Sequence, residues 1–128
     1  MATVLVVEDD VDISNAIREA LSEEGWNVLL ARSSEEAMSI VQAGDLDVVL
    51  CDVLLQDGTD GRALKEKVAR LGLEHLPFGF MTASTREMRT LSGAHVLQKP
   101  FGTSELLDVL RSMLAEREAQ QPSSNPPS

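Results

Sequence analysis

The chain has 128 residues, 43% of them hydrophobic and 25% charged, and a formal net charge of −10. That length supports one domain with a packed core, and the acidic balance argues against direct contact with nucleic acid or anionic membranes. A single cysteine, Cys51, excludes an internal disulfide and fits a reducing compartment; with no basic leader and no apolar stretch of membrane-spanning length, a cytoplasmic location is expected.

Apolar runs alternate with helical patterns along the chain. Val4–Val7 predicts a first strand, followed by a helix on which Ile13, Ala16, Ile17, Ala20 and Leu21 share a face and which ends near Gly25. Val28–Ala31 predicts a second strand. Ser33 and Glu36 have the spacing of a capping box, opening a helix that carries Ala37, Ile40 and Val41 as far as Gly44. A third apolar run ends in Asp52. Residues 56–61 are rich in turn formers, and Leu64, Val68 and Leu71 mark a third helix stopped by Gly72. Phe78–Thr82 predicts strand four, Ser84–Leu91 at best a short helix, and Val96–Gln98 a short strand five. Thr103 is placed as the cap of a last helix with Leu106, Leu107, Leu110, Met113 and Leu114 on one face. Residues 119–128 form a Pro/Ser-rich tail without apolar period, expected to be disordered, which leaves residues 1–118 as the folded domain. Strand–helix alternation implies an α/β doubly wound parallel sheet with helices on both faces, because crossovers between parallel strands are right-handed.

In such a sheet the carboxyl ends of the strands share one edge, where ligands bind. Glu8 and Asp9 follow strand one, Asp52 ends strand three, Thr82 ends strand four, and Lys99 follows strand five. Three convergent carboxylates repel one another and call for a hard divalent cation. A carboxylate can attack phosphorus, a hydroxyl can donate to a phosphoryl oxygen, and an ammonium can pair with another, so the set suits phosphoryl transfer. Each residue also has a plain structural use. Thr82 alone is a β-branched strand residue, Lys99 alone a solvated surface lysine, and Glu8-Asp9 alone helix-dipole partners, a role for which Asp10 and Asp12 are better placed. Cys51 reads as buried filler, and His75 and His95 lack ligand-spaced partners.

Val4-Leu5-Val6-Val7-Glu8-Asp9-Asp10, Asp52-Val53-Leu54-Leu55, Met81-Thr82-Ala83 and Lys99-Pro100-Phe101, in that order, resemble the receiver domains of two-component response regulators over nearly the whole folded part. The resemblance implies the flavodoxin-like strand order 2-1-3-4-5. It implies that Asp52 accepts phosphate from a histidine kinase or phosphotransfer protein. Mg2+ would be bound by Asp9, Asp52 and the backbone carbonyl of Leu54, with Glu8 acting directly or through water. Thr82 would turn toward the phosphate and Lys99 would pair with it; the Lys99-Pro100 bond would be cis. Leu54 and Ser84 would occupy positions that influence how fast water attacks the acyl phosphate. Pro77-Phe78-Gly79-Phe80-Met81-Thr82 is similar to variant receivers whose fourth strand reads Pro-Phe-x-Phe-Ala-Thr-Gly, a subgroup associated with HWE-type kinases, although Met81 and Ala83 depart from it.

Other departures are specific. Val96 stands where most receivers carry Tyr or Phe, Gln56 replaces a usual Pro, and Thr82 and Lys99 are closer in sequence than in typical members, which implies a shortened fourth helix. The expected function is a monomeric single-domain response regulator that works through a partner protein or as a phosphate sink, and that is not an enzyme on a separate substrate. Alternatives are a receiver-like module that never takes phosphate and the receiver of a hybrid kinase. An aspartyl phosphatase would need an Asp at position 54, where this chain has Leu54.

Overall fold

The computed structural model describes residues 2–55, 57–91 and 94–120. Five parallel strands, β1 (Thr3–Val7), β2 (Asn27–Ala31), β3 (Val48–Asp52), β4 (Phe78–Thr82) and β5 (His95–Gln98), form one sheet in the order β2-β1-β3-β4-β5. Between them run α1 (Val11–Glu23), α2 (Ser34–Ala43), α3 (Gly61–Val68) and α4 (Thr85–Thr90), and α5 (Thr103–Gln120) follows β5. The fold is the expected one, including the short fourth helix. Residues 119 and 120, assigned to the tail in the sequence, instead continue α5; the rest of that tail, from residue 121, lies outside the described residues, as does Gln56.

The sheet separates two apolar layers. On one face Val4, Val6, Leu50 and Met81 meet Ile17 and Leu21 of α1 and Leu106, Leu110 and Met113 of α5. On the other, Leu5, Val49, Phe78 and Phe80 meet Ala37 and Val41 of α2, Leu64 and Val68 of α3, and Leu91. Because β3 and β4 are covered on both faces, they are buried along their whole length and read as continuous apolar runs. β2, at the edge, is only alternately covered. Gly79 lies under α5, where an added Cβ would sit 2.7 Å from the Met113 sulfur, so the missing side chain sets how closely α5 approaches β4. Trp26 packs at the border of the α1–α5 layer, as its position after the first helix suggests.

Helix ends follow local chemistry, with three corrections. Asp10 caps α1 by accepting the Ile13 N–H (3.1 Å), and Ser33 caps α2 by accepting the Glu36 N–H (3.1 Å). The return arm of the α2 capping box goes one residue further back than the pattern implies, from the Arg32 N–H to Glu36 (2.7 Å). Thr103 is not a cap but the first residue of α5. The Gly102 carbonyl accepts the helix's opening bond from Leu106, and the Gly102 N–H donates to Glu105 (3.0 Å). Leu71 does not continue the buried face of α3: a π-helical turn over Ala69–Leu73, with Gly72 at φ 85°, rotates it to 44% exposure.

Candidate phosphoacceptor site

The strand register brings the chemistry to one edge. Val7 is level with Cys51, Asp52 with Met81, and Thr82 with Gln98, so the residues ending or following β1, β3, β4 and β5 meet at the carboxyl end of the sheet. There they line a cleft of about 420 Å³ that includes Glu8, Asp9, Asp52, Leu54, Thr82, Ser84, Glu87 and Lys99. Each of the residues singled out in the sequence lies in it. Carboxylate oxygens of Glu8, Asp9 and Asp52 come within 4.8 Å of one another. Glu8 is 1% exposed, Asp52 5% and Thr82 5%. Leu54 lines the same cleft, is 65% exposed and is bridged to Asp60.

Lys99 is the counter-charge. Its Nζ is 2.7 Å from Glu8 Oε2 and 2.7 Å from Asp52 Oδ1. The Lys99 N–H donates to the Thr82 carbonyl (2.8 Å), and the Lys99-Pro100 peptide is cis. Glu8 also accepts the Asp10 N–H (3.1 Å). Burial alone would raise both carboxyls, but their partners shift the two in opposite directions. Glu8 stays below its ordinary value because burial is outweighed by hydrogen bonds from Asp52, Lys99 and the Asp10 amide. Asp52 is pushed up to about 7 by burial first and then by the adjacent Glu8, against the pull of Lys99. Lys99 is raised: burial disfavours its charge, but Asp52 and Glu8 more than offset that. Without further positive charge, Glu8 and Asp52 beside one ammonium therefore hold a proton between them up to about pH 7. A hard divalent cation fits this donor set, which is all oxygen, mostly buried and in excess of negative charge.

Two residues that shape the cleft were missed in the sequence. Gly61 opens α3 against the back of Asp52: its N–H donates to the Val53 carbonyl (2.6 Å), and a Cβ there would lie 2.4 Å from the Asp52 carbonyl oxygen. Glu87 reaches the Thr82 hydroxyl (3.2 Å) from α4. The Ser84-x-x-Glu87 spacing was the available signal for the second; nothing local marked the first. Cys51 is buried, with its thiol pushed up by burial and by the nearby carboxylates, which suits the filler role. Val96, in place of an aromatic, pairs with Phe80 and packs on the α2–α3 layer. His95 contacts Glu116 of α5 (2.5 Å) at the far end of β5.

A doubly wound sheet with an acidic pocket and a lysine at its carboxyl edge defines the response regulator class. A family model for the response regulator receiver domain matches residues 4–111, and the chain belongs to that family. It is 34% identical over 115 residues to the uncharacterized transcriptional regulatory protein YbdJ of Bacillus subtilis, covering 87% of this chain and 50% of that one. It is 31% identical to the transcriptional regulatory protein TrcR of Mycobacterium tuberculosis, covering 87% and 44%. The chain thus spans about half the length of these curated relatives. Among solved structures, the Vibrio cholerae chemotaxis protein CheY4 superposes with a TM-score of 0.80 at 27% identity, over 89% of this chain and 99% of that one. The response regulator TrrA from Thermotoga maritima, solved in complex with Mg2+-BeF, superposes with a TM-score of 0.79 at 27% identity, over 89% and 100%. Among the described residues no helix is long and apolar enough to cross a membrane.

Proposed function

We propose that Asp52 is the phosphoacceptor of a Mg2+-dependent receiver that takes its phosphoryl group from a histidine kinase or histidine phosphotransfer protein. The observation that supports this most is the buried carboxylate of Asp52 held between Glu8, Asp9 and the Lys99 ammonium in an open cleft. An oxygen of Asp52 forms the bond to phosphorus as the P–N bond of the donor phosphohistidine breaks. The imidazole nitrogen leaves with the electron pair and takes up a proton. Water later attacks the same phosphorus, returning the carboxylate and inorganic phosphate.

The residues that would hold the cation are Glu8, Asp9, Asp52 and the Leu54 carbonyl. When bound, the cation supplies the positive charge that keeps Asp52 ionised and balances the phosphoryl oxygens. Lys99 pairs with one phosphoryl oxygen and the Thr82 hydroxyl donates to another. The resemblance of Pro77–Thr82 to the variant receivers favours a donor of the HWE kinase type. With a net charge of −10, these 128 residues act through protein contacts in the cytoplasm rather than by binding nucleic acid themselves.

The test is incubation with acetyl phosphate and Mg2+ followed by intact-mass measurement. One phosphoryl adduct is expected on the wild type and none on Asp52→Asn. An adduct retained by Asp52→Asn would place the acceptor elsewhere, and a wild type that takes no phosphoryl group under any donor would favour the non-phosphorylated interaction module.

A further inference from the structure

We infer that Glu87 is a positioning residue for the Thr82 hydroxyl, drawing it into the amino-terminal cap of α4, and that a phosphoryl group on Asp52 would have to win the hydroxyl from Glu87. This rests on the phosphoacceptor reading and concerns the regulation of that same site.

Ser84 caps α4, its Oγ accepting the Glu87 N–H (3.2 Å). In a capping box, the carboxylate three residues on would return to the cap residue's own N–H. Here a third group stands between them. The Ser84 N–H donates to Thr82 Oγ1 (3.0 Å), and Thr82 Oγ1 donates to Glu87 Oε1 (3.2 Å). The last side chain of β4 therefore completes the first turn of a six-residue helix.

A threonine hydroxyl has one proton and serves one acceptor at a time. Thr82, Glu87, Asp52 and Lys99 line the same cleft. A phosphoryl group on Asp52 would add several anionic oxygens there, each a strong acceptor able to compete for the Thr82 hydroxyl. Two arrangements then exclude each other. In one, Thr82 bridges Ser84 and Glu87. In the other, the hydroxyl serves the phosphoryl group and Glu87 closes directly on the Ser84 N–H.

The exchange has somewhere to go. The Glu87 carbonyl accepts the Thr90 hydroxyl (2.9 Å), and Thr90 Oγ1 accepts Arg62 Nη1 (3.2 Å). Arg62 is held by Asp60, the cap of α3 (2.7 Å). A change in how Glu87 seats the first turn of α4 is thus one turn from a contact between α4 and α3.

The experiment is a double-mutant cycle on the full chain, using beryllofluoride with Mg2+ as the phosphoryl mimic and calorimetry as the readout, with Glu87→Gln, Thr82→Val and the double variant. Glu87→Gln removes the competing charge at constant size and is expected to tighten beryllofluoride binding by about 3- to 10-fold. In the Thr82→Val background the same change is expected to alter binding by less than about 2-fold, because no hydroxyl remains to release. Thr82→Ser, which keeps the hydroxyl, is expected to restore the coupling. In the ligand-free protein, Glu87→Gln is expected to move the Ser84 amide resonance toward its beryllofluoride-bound position. An equal effect of Glu87→Gln in both backgrounds would show Glu87 acting through its charge alone and would overturn the inference while leaving the phosphoacceptor reading intact. A wild type that binds no beryllofluoride and takes no phosphoryl group from acetyl phosphate would overturn both.

Discussion

Replacing Asp52 by asparagine removes one charge from the cleft at nearly constant volume. Asp52 is 5% exposed and its carboxyl is raised from 3.8 to about 7, so over that interval the folded state holds a proton that the unfolded chain has released. Unfolding then becomes easier as pH rises: the stability that protonated Asp52 contributes is complete below about pH 4 and is lost as pH climbs through about 7. At about 1.4 kcal/mol per pKa unit, the lift amounts to at most about 4 kcal/mol. That lift is already net of the opposing pull of Lys99, which Glu8 still pairs with in the variant, and screening by solvent at the open cleft reduces it further. Without metal, Asp52→Asn should therefore be more stable than the wild type by about 1–3 kcal/mol near pH 8, with the difference shrinking toward zero near pH 4. Urea titrations in EDTA across that range, followed by far-ultraviolet circular dichroism, measure it. A difference that does not change with pH, or a variant less stable than the wild type near pH 8, would refute the electrostatic argument.

Other perturbations test neighbouring parts of the site. If the Glu8, Asp9 and Asp52 cluster holds Mg2+ as proposed, the ion should stabilise the wild type by about 2.7 kcal/mol at a hundredfold excess over its dissociation constant. Thermal melts should show this gain lost in Asp9→Asn. Lys99→Ala leaves Glu8 and Asp52 without their counter-charge. Urea denaturation in EDTA near pH 8 should show a loss of about 2–4 kcal/mol, and intact-mass kinetics should show slower labelling by acetyl phosphate. Gly61→Ala forces a methyl group to 2.4 Å from the Asp52 carbonyl oxygen. A loss of about 1–3 kcal/mol is expected, together with weaker Mg2+ binding, because the acceptor strand must shift; unchanged values in both measurements would mean that the loop gives way instead.

Most of the fold was legible because short apolar runs alternate with helical spacing and each run gives way to polar or charged residues. Asp52, Glu8-Asp9, Thr82 and Lys99 each follow an apolar run, and parallel topology places such ends together whatever the loops do. Elements that depend on competing local bonds were not. Gly102-Thr103-Ser104-Glu105 offers more than one residue able to open α5, and only the bond from the Gly102 amide to Glu105 decides it. Leu71 fits the α3 period, but periodicity assumes an unbroken turn and Gly72 supplies a broken one. Gly61 is a glycine because of a carbonyl nine residues earlier in the chain, a neighbour that no local pattern contains. The partnership of Thr82 and Glu87 joins a strand end to a helix across a turn, so neither the strand rule nor the capping rule finds it alone.

β1 and β3 are adjacent and almost wholly enclosed, with Val4 to Val7 and Val48 to Cys51 at zero exposure. Neighbouring strands in a sheet stand about 4.8 Å apart, and the carboxylates they carry cannot relax their repulsion by drifting. A visitor to the cleft therefore meets sign before shape: an arriving anion faces carboxylates that Lys99 offsets only in part.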